Sequence, residues 1–184
     1  TVVEIHGAEM RAGAPLTRFR GIQAARYDLL LFTDDDCLVP ENWVVQMTQL
    51  LEHHPVVTGL IIGDGTAPRD LERFEERIDR FRADARDLAG QPKFVSFGNL
   101  GLRRSVLPET PFSTSFLGNA DDFDLGVRLR ESGAPIHVED SLRVSTQYPR
   151  SLAAAMSRKI RHARGIAYVH RLHGSLAWDR LDIG

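Results

Sequence analysis

The sequence predicts an α/β fold with a mainly parallel sheet flanked by helices. Three observations carry that expectation. Apolar runs of strand length alternate with stretches in which apolar residues recur every three or four positions. Tyr27 to Thr33 encloses the unbroken apolar run Leu29–Phe32, the pattern of a strand buried on both faces in a parallel sheet. That strand runs directly into Asp34-Asp35-Asp36, and open α/β sheets bind their ligands at the carboxyl ends of strands.

Each element has its own signal. Val2 to Ile5 reads as a short strand already under way, so sequence upstream of Thr1 is expected. Gly7 to Pro15 is loop, and Leu16 to Ala25 is a helix with Leu16, Phe19 and Ile22 near one face. Pro40 opens a helix over Glu41–His53, and Pro55 stops it. Val56 to Ile62 is the next strand, ended by Gly63-Asp64-Gly65. Residues 68–88 give the clearest helix, with Leu71, Phe74, Ile78, Phe81, Ala85 and Leu88 on one face and Arg, Asp and Glu on the others. Phe94 to Phe97 is a short strand entering Gly98-Asn99. Asp121 to Ser132 is a helix closed by Gly133, and Pro135 to Val138 is a strand. Ser151 to His173 is a final helix whose apolar side, Leu152, Met156, Ile160, Ala163 and Ala167, is expected to pack on the sheet. Residues 1–150 then form the body, with 151–184 as a basic helix and tail packed on it.

Composition narrows the class. The chain's 184 residues suffice for one domain with a real core, and shares of 42% hydrophobic and 26% charged are ordinary for a globular protein. No stretch approaches the roughly 18 uncharged apolar residues of a spanning helix. The single Cys37 excludes an internal disulfide and any multi-cysteine metal site, which points to a reducing, cytoplasmic setting. The net charge of −2 hides an asymmetry: Arg150 to Arg171 holds six Lys/Arg and no Asp or Glu, leaving 17 basic against 25 acidic residues elsewhere. A basic segment on an acidic body points to an anionic neighbour such as a membrane surface or a diphosphate; the plain alternative is a solvated helix face. In helix 68–88 acids nearly balance the arginines, so no nucleic-acid surface is expected.

Two carboxylate groups carry the chemistry. Adjacent Asp34, Asp35 and Asp36 repel one another, and a divalent cation removes that repulsion. Mg2+ or Mn2+ suits hard oxygen ligands and takes its remaining ligands from phosphates and water. The alternative is a solvated acidic turn capping the helix after Pro40. Asp121 and Asp122 fall at a helix start, where the dipole favours an ionised carboxylate fit to act as a base. The alternative there is plain N-capping.

The ordered set of motifs is more specific than any one of them. Arg18-Phe19-Arg20-Gly21, then Asp34-Asp35-Asp36 with Pro40 and Trp43, then Phe97-Gly98-Asn99 with Arg103-Arg104, then Asp121-Asp122-Phe123-Asp124-Leu125 with Arg128-Leu129 and Gly133, resembles family-two glycosyltransferases of the GT-A type over roughly residues 16–165. The resemblance implies a Rossmann-like GT-A fold whose first strands are missing from this chain. It also implies an inverting, metal-dependent transferase using a nucleotide-sugar donor, by default a UDP-sugar, and a saccharide or lipid-linked acceptor. On that resemblance Asp36 and Asp34 bind the metal, and Asp34, Asp35, Arg18, Gly98 and Asn99 bind the donor. Asp122 is the base and Asp121 orients the acceptor. Three positions depart from the family pattern: Phe19 replaces an Asn, Asp121 a Glu, and Thr146 in Val144-Ser-Thr146-Gln-Tyr-Pro149 a His that can complete the metal shell. Two other functions compete. One is a non-catalytic glycosyltransferase-like binding or scaffold domain. The other is a different Mg2+-dependent phosphate-handling enzyme, for which the sequence offers no phosphate-cradling glycine loop.

Overall fold

The computed structural model describes residues 13–87, 89–113 and 120–174. The strand expected over Val2–Ile5, Leu88 and the tail beyond Gly174 lie outside them. Helix α1 (Gly13–Ala24) leads into β1 (Leu29–Phe32), the acidic turn and the two-residue β2 (Cys37–Leu38). Then follow α2 (Trp43–His53), β3 (Val56–Gly63), α3 (Arg69–Asp84), β4 (Leu100–Arg103), α4 (Asp121–Glu131), β5 (Ile136–Thr146) and α5 (Leu152–His173). The strands form one sheet in the order β1-β4-β3-β5-β2.

The α/β class stands, but the sheet is mixed rather than mainly parallel. Among the described residues β3 and β5 pair in parallel, while β1–β4, β3–β4 and β2–β5 are antiparallel. β1, β3 and β5 still point the same way, because β4 lies reversed between the first two. A strand covered on both faces is apolar whichever way its neighbours run, so an apolar run does not encode direction.

Neighbouring residues of β3 divide the core between the two faces. Val56 joins Ile22, Leu30, Leu100, Leu102, Leu125 and Leu129 under α1 and α4. Val57 joins Trp43, Met47, Leu51, Leu142 and Val144 under α2. The strand expected over Phe94–Phe97 is instead an approach to a 3-10 turn at Phe97–Asn99, with the strand itself following. β5 extends far past the expected Val138 because the polar Glu139, Asp140 and Ser141, the last two exposed, belong to the same strand.

The register of β3 against β5 shifts between Gly59 and Leu60, and Asn99 fills the irregularity. Trp43 Nε1 donates to Asn99 Oδ1 at 2.9 Å, and Asn99 Nδ2 donates to the carbonyls of Leu142 (2.8 Å) and Leu60 (3.1 Å). A Cβ on Gly59 would clash with the Leu142 carbonyl oxygen and Asn99 Nδ2. Gly59→Ala is therefore expected to destabilise the fold by about 2–4 kcal/mol, the combined scale of overpacking and buried hydrogen-bond loss. Denaturant unfolding checks this, and an unchanged midpoint would show that the bulge can open.

Helices α3 and α5 reverse the usual arrangement. Phe74 and Phe81 are 47% and 63% exposed, whereas Glu75 of the same helix is fully buried and meets Lys159 of α5 at 2.5 Å. On α5, Leu152, Met156 and Ile160 are 68%, 51% and 50% exposed, and the buried residues are Ala155, Gly165 and Val169. The expectation that the apolar side of α5 packs on the sheet is corrected. The helix docks on α4 through Ile166, Tyr168 and Val169, and its polar side turns inward because Glu75 and the site carboxylates lie there. α3 also stops at Asp84, short of the expected residue 88: Ala85 is extended, its N–H caps the helix by donating to the Phe81 and Arg82 carbonyls, and its carbonyl accepts from Lys93 N–H as the chain returns.

Candidate active site

β1 delivers the acidic turn to the end of the sheet. Cys37 N–H donates to the Asp34 carbonyl at 3.1 Å, closing the turn, and β2 then pairs Cys37 with Thr146 at the end of β5. Asp35 and Asp36 are exposed and Asp34 half-buried. Ligand atoms of Asp34, Asp36 and Cys37 lie within 4.8 Å of one another. Burial, and then the charge of Asp34, push the Cys37 thiol pKa up, so the sulfur stays protonated and a poor ligand. The two carboxylates are the hard-oxygen part of the set and fit Mg2+ or Mn2+. Thr146 Oγ1 donates to the Asp36 carbonyl at 3.4 Å, so the position where the family pattern has His does abut this cluster.

Arg18 of α1 ties the acidic turn to α4. Its guanidinium donates to Asp34 at 2.5 Å and to Asp121 at 2.6 Å, and lies 4.5 Å over the Phe97 ring. Burial works against the Arg18 charge, but the two carboxylates outweigh it and hold its pKa above the ordinary value. For Asp121 burial is the main influence and raises the pKa; Arg18 opposes it, and Asp122 adds to the rise. Asp121 is held in place by one arginine.

Asp122 lies in the first turn of α4 and accepts from Arg82 of α3 at 2.9 Å. Arg82 also stacks over Phe94 at 5.3 Å. Asp124, on the same turn, is spent on structure: it accepts from Arg128, His173 and the Ser113 backbone N–H. Close to Asp122 sits His162 of α5. Burial, then the charge of Arg82, with smaller contributions from Arg158 and Lys159, pull its pKa down to about 4 against the pull of Asp122.

That depression has a sign for stability. An unfolded His titrates near 6.5, so between roughly 6.5 and 4 the unfolded chain holds a proton that the native one does not. Stability therefore falls as pH drops through that window. His162→Gln is expected to remove about 2 kcal/mol of the loss between pH 7 and 4.5, read from denaturant unfolding at both pH values. Parallel losses in parent and variant would sink the assignment.

The acidic turn, Arg18, Gly98 and the Asp121–Asp122 pair all open into one cleft of about 760 Å3. Gly98 borders the cleft, where a Cβ would come within 3.4 Å of Asp34 Oδ2. The fully buried side chain of Asn99 is engaged by Trp43 and two carbonyls, so it lies in the floor beneath Gly98. Sequence reasoning missed Arg82, Tyr148, Arg158 and Arg161 as cleft residues, and read His162 as part of a solvated basic face. Only the absence of acids from Arg150 to Arg171 could have drawn notice to the α5 members.

Comparison with known proteins bears on the family and the fold. The profile of a family described as glycosyltransferase-like family 2 matches residues 1–165. No curated protein matches the sequence significantly. Among solved structures, the mannosyltransferase PcManGT from Pyrobaculum calidifontis, in complex with GDP-Man and Mn2+, aligns with a TM-score of 0.58 at 18% identity, covering 91% of this chain and 45% of that one. The mannosyl-3-phosphoglycerate synthase from Rubrobacter xylanophilus gives 0.57 at 17% identity, covering 91% and 55%. A mycobacterial protein gives 0.54 at 18%, covering 91% and 53%. At such identities the likeness concerns the fold, and the chain spans about half the length of these structures. With the profile extending over most of its sequence, the chain belongs to glycosyltransferase-like family 2 and has the GT-A type of α/β fold.

Proposed function

We propose that this chain is the metal- and acceptor-binding part of an inverting glycosyltransferase that moves a sugar from a nucleotide-sugar donor to an acceptor hydroxyl. The observation that carries the reading is the shared cleft: two metal-fitting carboxylates on one side, and two carboxylates at a helix start on the other, bridged by Arg18. Residues 1–150 act as the catalytic body, and α5 supplies the facing wall.

Asp36 and Asp34 would hold Mg2+ or Mn2+, which neutralises charge developing on the leaving nucleoside diphosphate. Asp122 takes the proton of the acceptor hydroxyl as that oxygen attacks the anomeric carbon. The bond from that carbon to the phosphate oxygen breaks, and the diphosphate leaves with the electron pair, inverting the centre in one displacement. Arg82 fixes the position of Asp122, and Asp121, held by Arg18, orients the acceptor. Asp35, Arg18 and Gly98 border the donor. The Pyrobaculum neighbour's complex with GDP-Man makes a GDP-sugar the first donor to test, beside the UDP-sugars that the family pattern implies.

One observation favours a non-catalytic binding domain: Arg18 and Arg82 already neutralise Asp34, Asp121 and Asp122. Calorimetric titration with GDP and UDP, with and without Mn2+, tests the transferase reading. Mn2+-dependent binding of either nucleotide supports it. Binding of neither removes it, and binding with no turnover of the matching sugar leaves the binding-domain reading.

The setting in this reading is the cytoplasmic face of an anionic membrane, held peripherally. Among the described residues no helix is long and apolar enough to cross a membrane. The outward Leu152, Met156 and Ile160 offer apolar contact, and exposed Arg164 and Arg171 lie on the same helix. Each basic residue near an anionic surface contributes on the order of 1 kcal/mol. Co-sedimentation with anionic vesicles is expected to fall at high salt and on Met156→Glu. Equal recovery on neutral vesicles would remove the charged-surface contact.

A further inference from the structure

Arg82 is one cation with two carboxylates, and the second has no part in the chemistry above. Its Nη2 meets Asp122 at 2.9 Å, and its Nη1 meets Asp79 of the same helix at 4.0 Å. Asp79 is itself aimed: its Oδ2 accepts from the Tyr148 hydroxyl at 2.8 Å, leaving Oδ1 toward Arg82. Tyr148 is buried on the segment that leaves β5, and all four residues line the cleft. Burial, and then the charge of Asp79, push the Tyr148 pKa up, so its hydroxyl stays a donor.

A guanidinium is a rigid planar fork, so fixing one of its nitrogens aims the other. Pairing with Asp79 at Nη1 and stacking over Phe94 at 5.3 Å therefore limit where Arg82 can carry Asp122. Such limits matter at a base, because a misplacement of about 1 Å can cost on the order of 10²-fold in rate. We propose that Asp79 is a positioning residue for sugar transfer: anchored by Tyr148, it holds Arg82 so that Arg82 presents Asp122 to the acceptor. The proposal rests on Asp122 being the base. The plain alternative is a pair of contacts that only fasten α3 to the end of β5, and these would affect stability without acting through Arg82.

The test uses the full chain with GDP-mannose or UDP-glucose and Mn2+, following release of the nucleoside diphosphate. Water stands in for the acceptor: its oxygen attacks the anomeric carbon, its proton passes to Asp122, and the diphosphate leaves with the bonding pair. Asp79→Asn keeps an oxygen for Tyr148 but drops the charge. It should lower kcat about tenfold while the donor KM stays within about twofold. Tyr148→Phe should lower kcat less, by about threefold, the scale of one hydrogen bond. In an Arg82→Gln background neither substitution should lower it further, because the path through Arg82 is already cut. Losses that multiply in that background, or parental kcat in Asp79→Asn, overturn the proposal. Normal turnover by Asp122→Asn removes the base reading instead. A second readout needs no turnover. With isotope-labelled arginine, NMR follows rotation of the Arg82 guanidinium about its Nε–Cζ bond, and Arg82→Gln identifies the signal. Asp79→Asn should speed that rotation about fivefold, the scale of one weak ion pair. An unchanged rate overturns the clamp. If neither donor turns over but the rotation still responds to Asp79→Asn, the clamp on Asp122 stands and the transferase reading falls.

Discussion

Asp122→Asn is expected to leave nucleotide binding intact and to lower sugar transfer by roughly 10²-fold or more, the usual scale for losing a general base. The amide keeps the shape of the carboxylate but cannot take the acceptor proton. The substitution has a second effect that must be separated from the first. Arg82 then loses the charge of its 2.9 Å partner, and among the described residues Asp79 at 4.0 Å is the carboxylate left to it beside its place over Phe94. Unpairing a partly buried cation costs stability by about 1–3 kcal/mol, so turnover is compared well below the variant's own unfolding midpoint. Arg82→Gln gives the control: it removes the clamp but keeps the base, and its loss of transfer should be smaller. If Asp122→Asn turns over normally, the proton must go to Asp121. Asp124 cannot substitute, because Arg128, His173 and the Ser113 N–H already occupy it.

The sequence made the acidic half of this site legible and hid the basic half, for a physical reason. Asp34–Asp36 and Asp121–Asp122 are each contiguous, the first where an apolar strand meets a turn and the second at a helix start, places where local pattern reports local geometry. Arg82, Tyr148, Arg158 and His162 come from α3, the end of β5 and α5, and only the tertiary fold brings them to one cleft. Amphipathic periodicity identified both helices but not which face turns inward. That rule assumes the apolar side seeks the core. Here Glu75, Asp79, Arg82 and Lys159 find charged or hydroxyl partners inside, as in the 2.8 Å bond from Tyr148 to Asp79, and the apolar stripes stay outside. Strand direction was equally invisible, since β4 is as apolar as a parallel strand in its place. Asn99 carries a role no motif reports: its three buried hydrogen bonds tie it to the β3–β5 bulge.

Asp36→Asn is expected to abolish Mn2+-dependent nucleotide binding while leaving the fold intact. Within the acidic turn the two candidate metal carboxylates are not equivalent. Asp34 is half-buried and already paired with Arg18, so a cation there competes with a guanidinium. Asp36 is exposed, and its carboxylate contacts only the Cys37 sulfur at 3.8 Å among the described residues. It is the carboxylate most available to a hard cation that takes few protein ligands and completes its shell with phosphate and water. Neutralising it removes repulsion from a crowded turn, so the free energy of unfolding should hold or rise by about 0.5 kcal/mol, the scale of a surface charge change. Nucleotide affinity with Mn2+ should fall at least about 100-fold, to the level seen without metal, because the diphosphate loses the charge that binds it. Asp34→Asn makes the contrast: it frees Arg18 as well, so lost binding should come with lost stability. The decisive comparison is the calorimetric difference with and without Mn2+ in each variant. If Asp36→Asn keeps the full metal-dependent difference, Asp36 is not a ligand, and the acidic turn is a solvated cap on the way to α2.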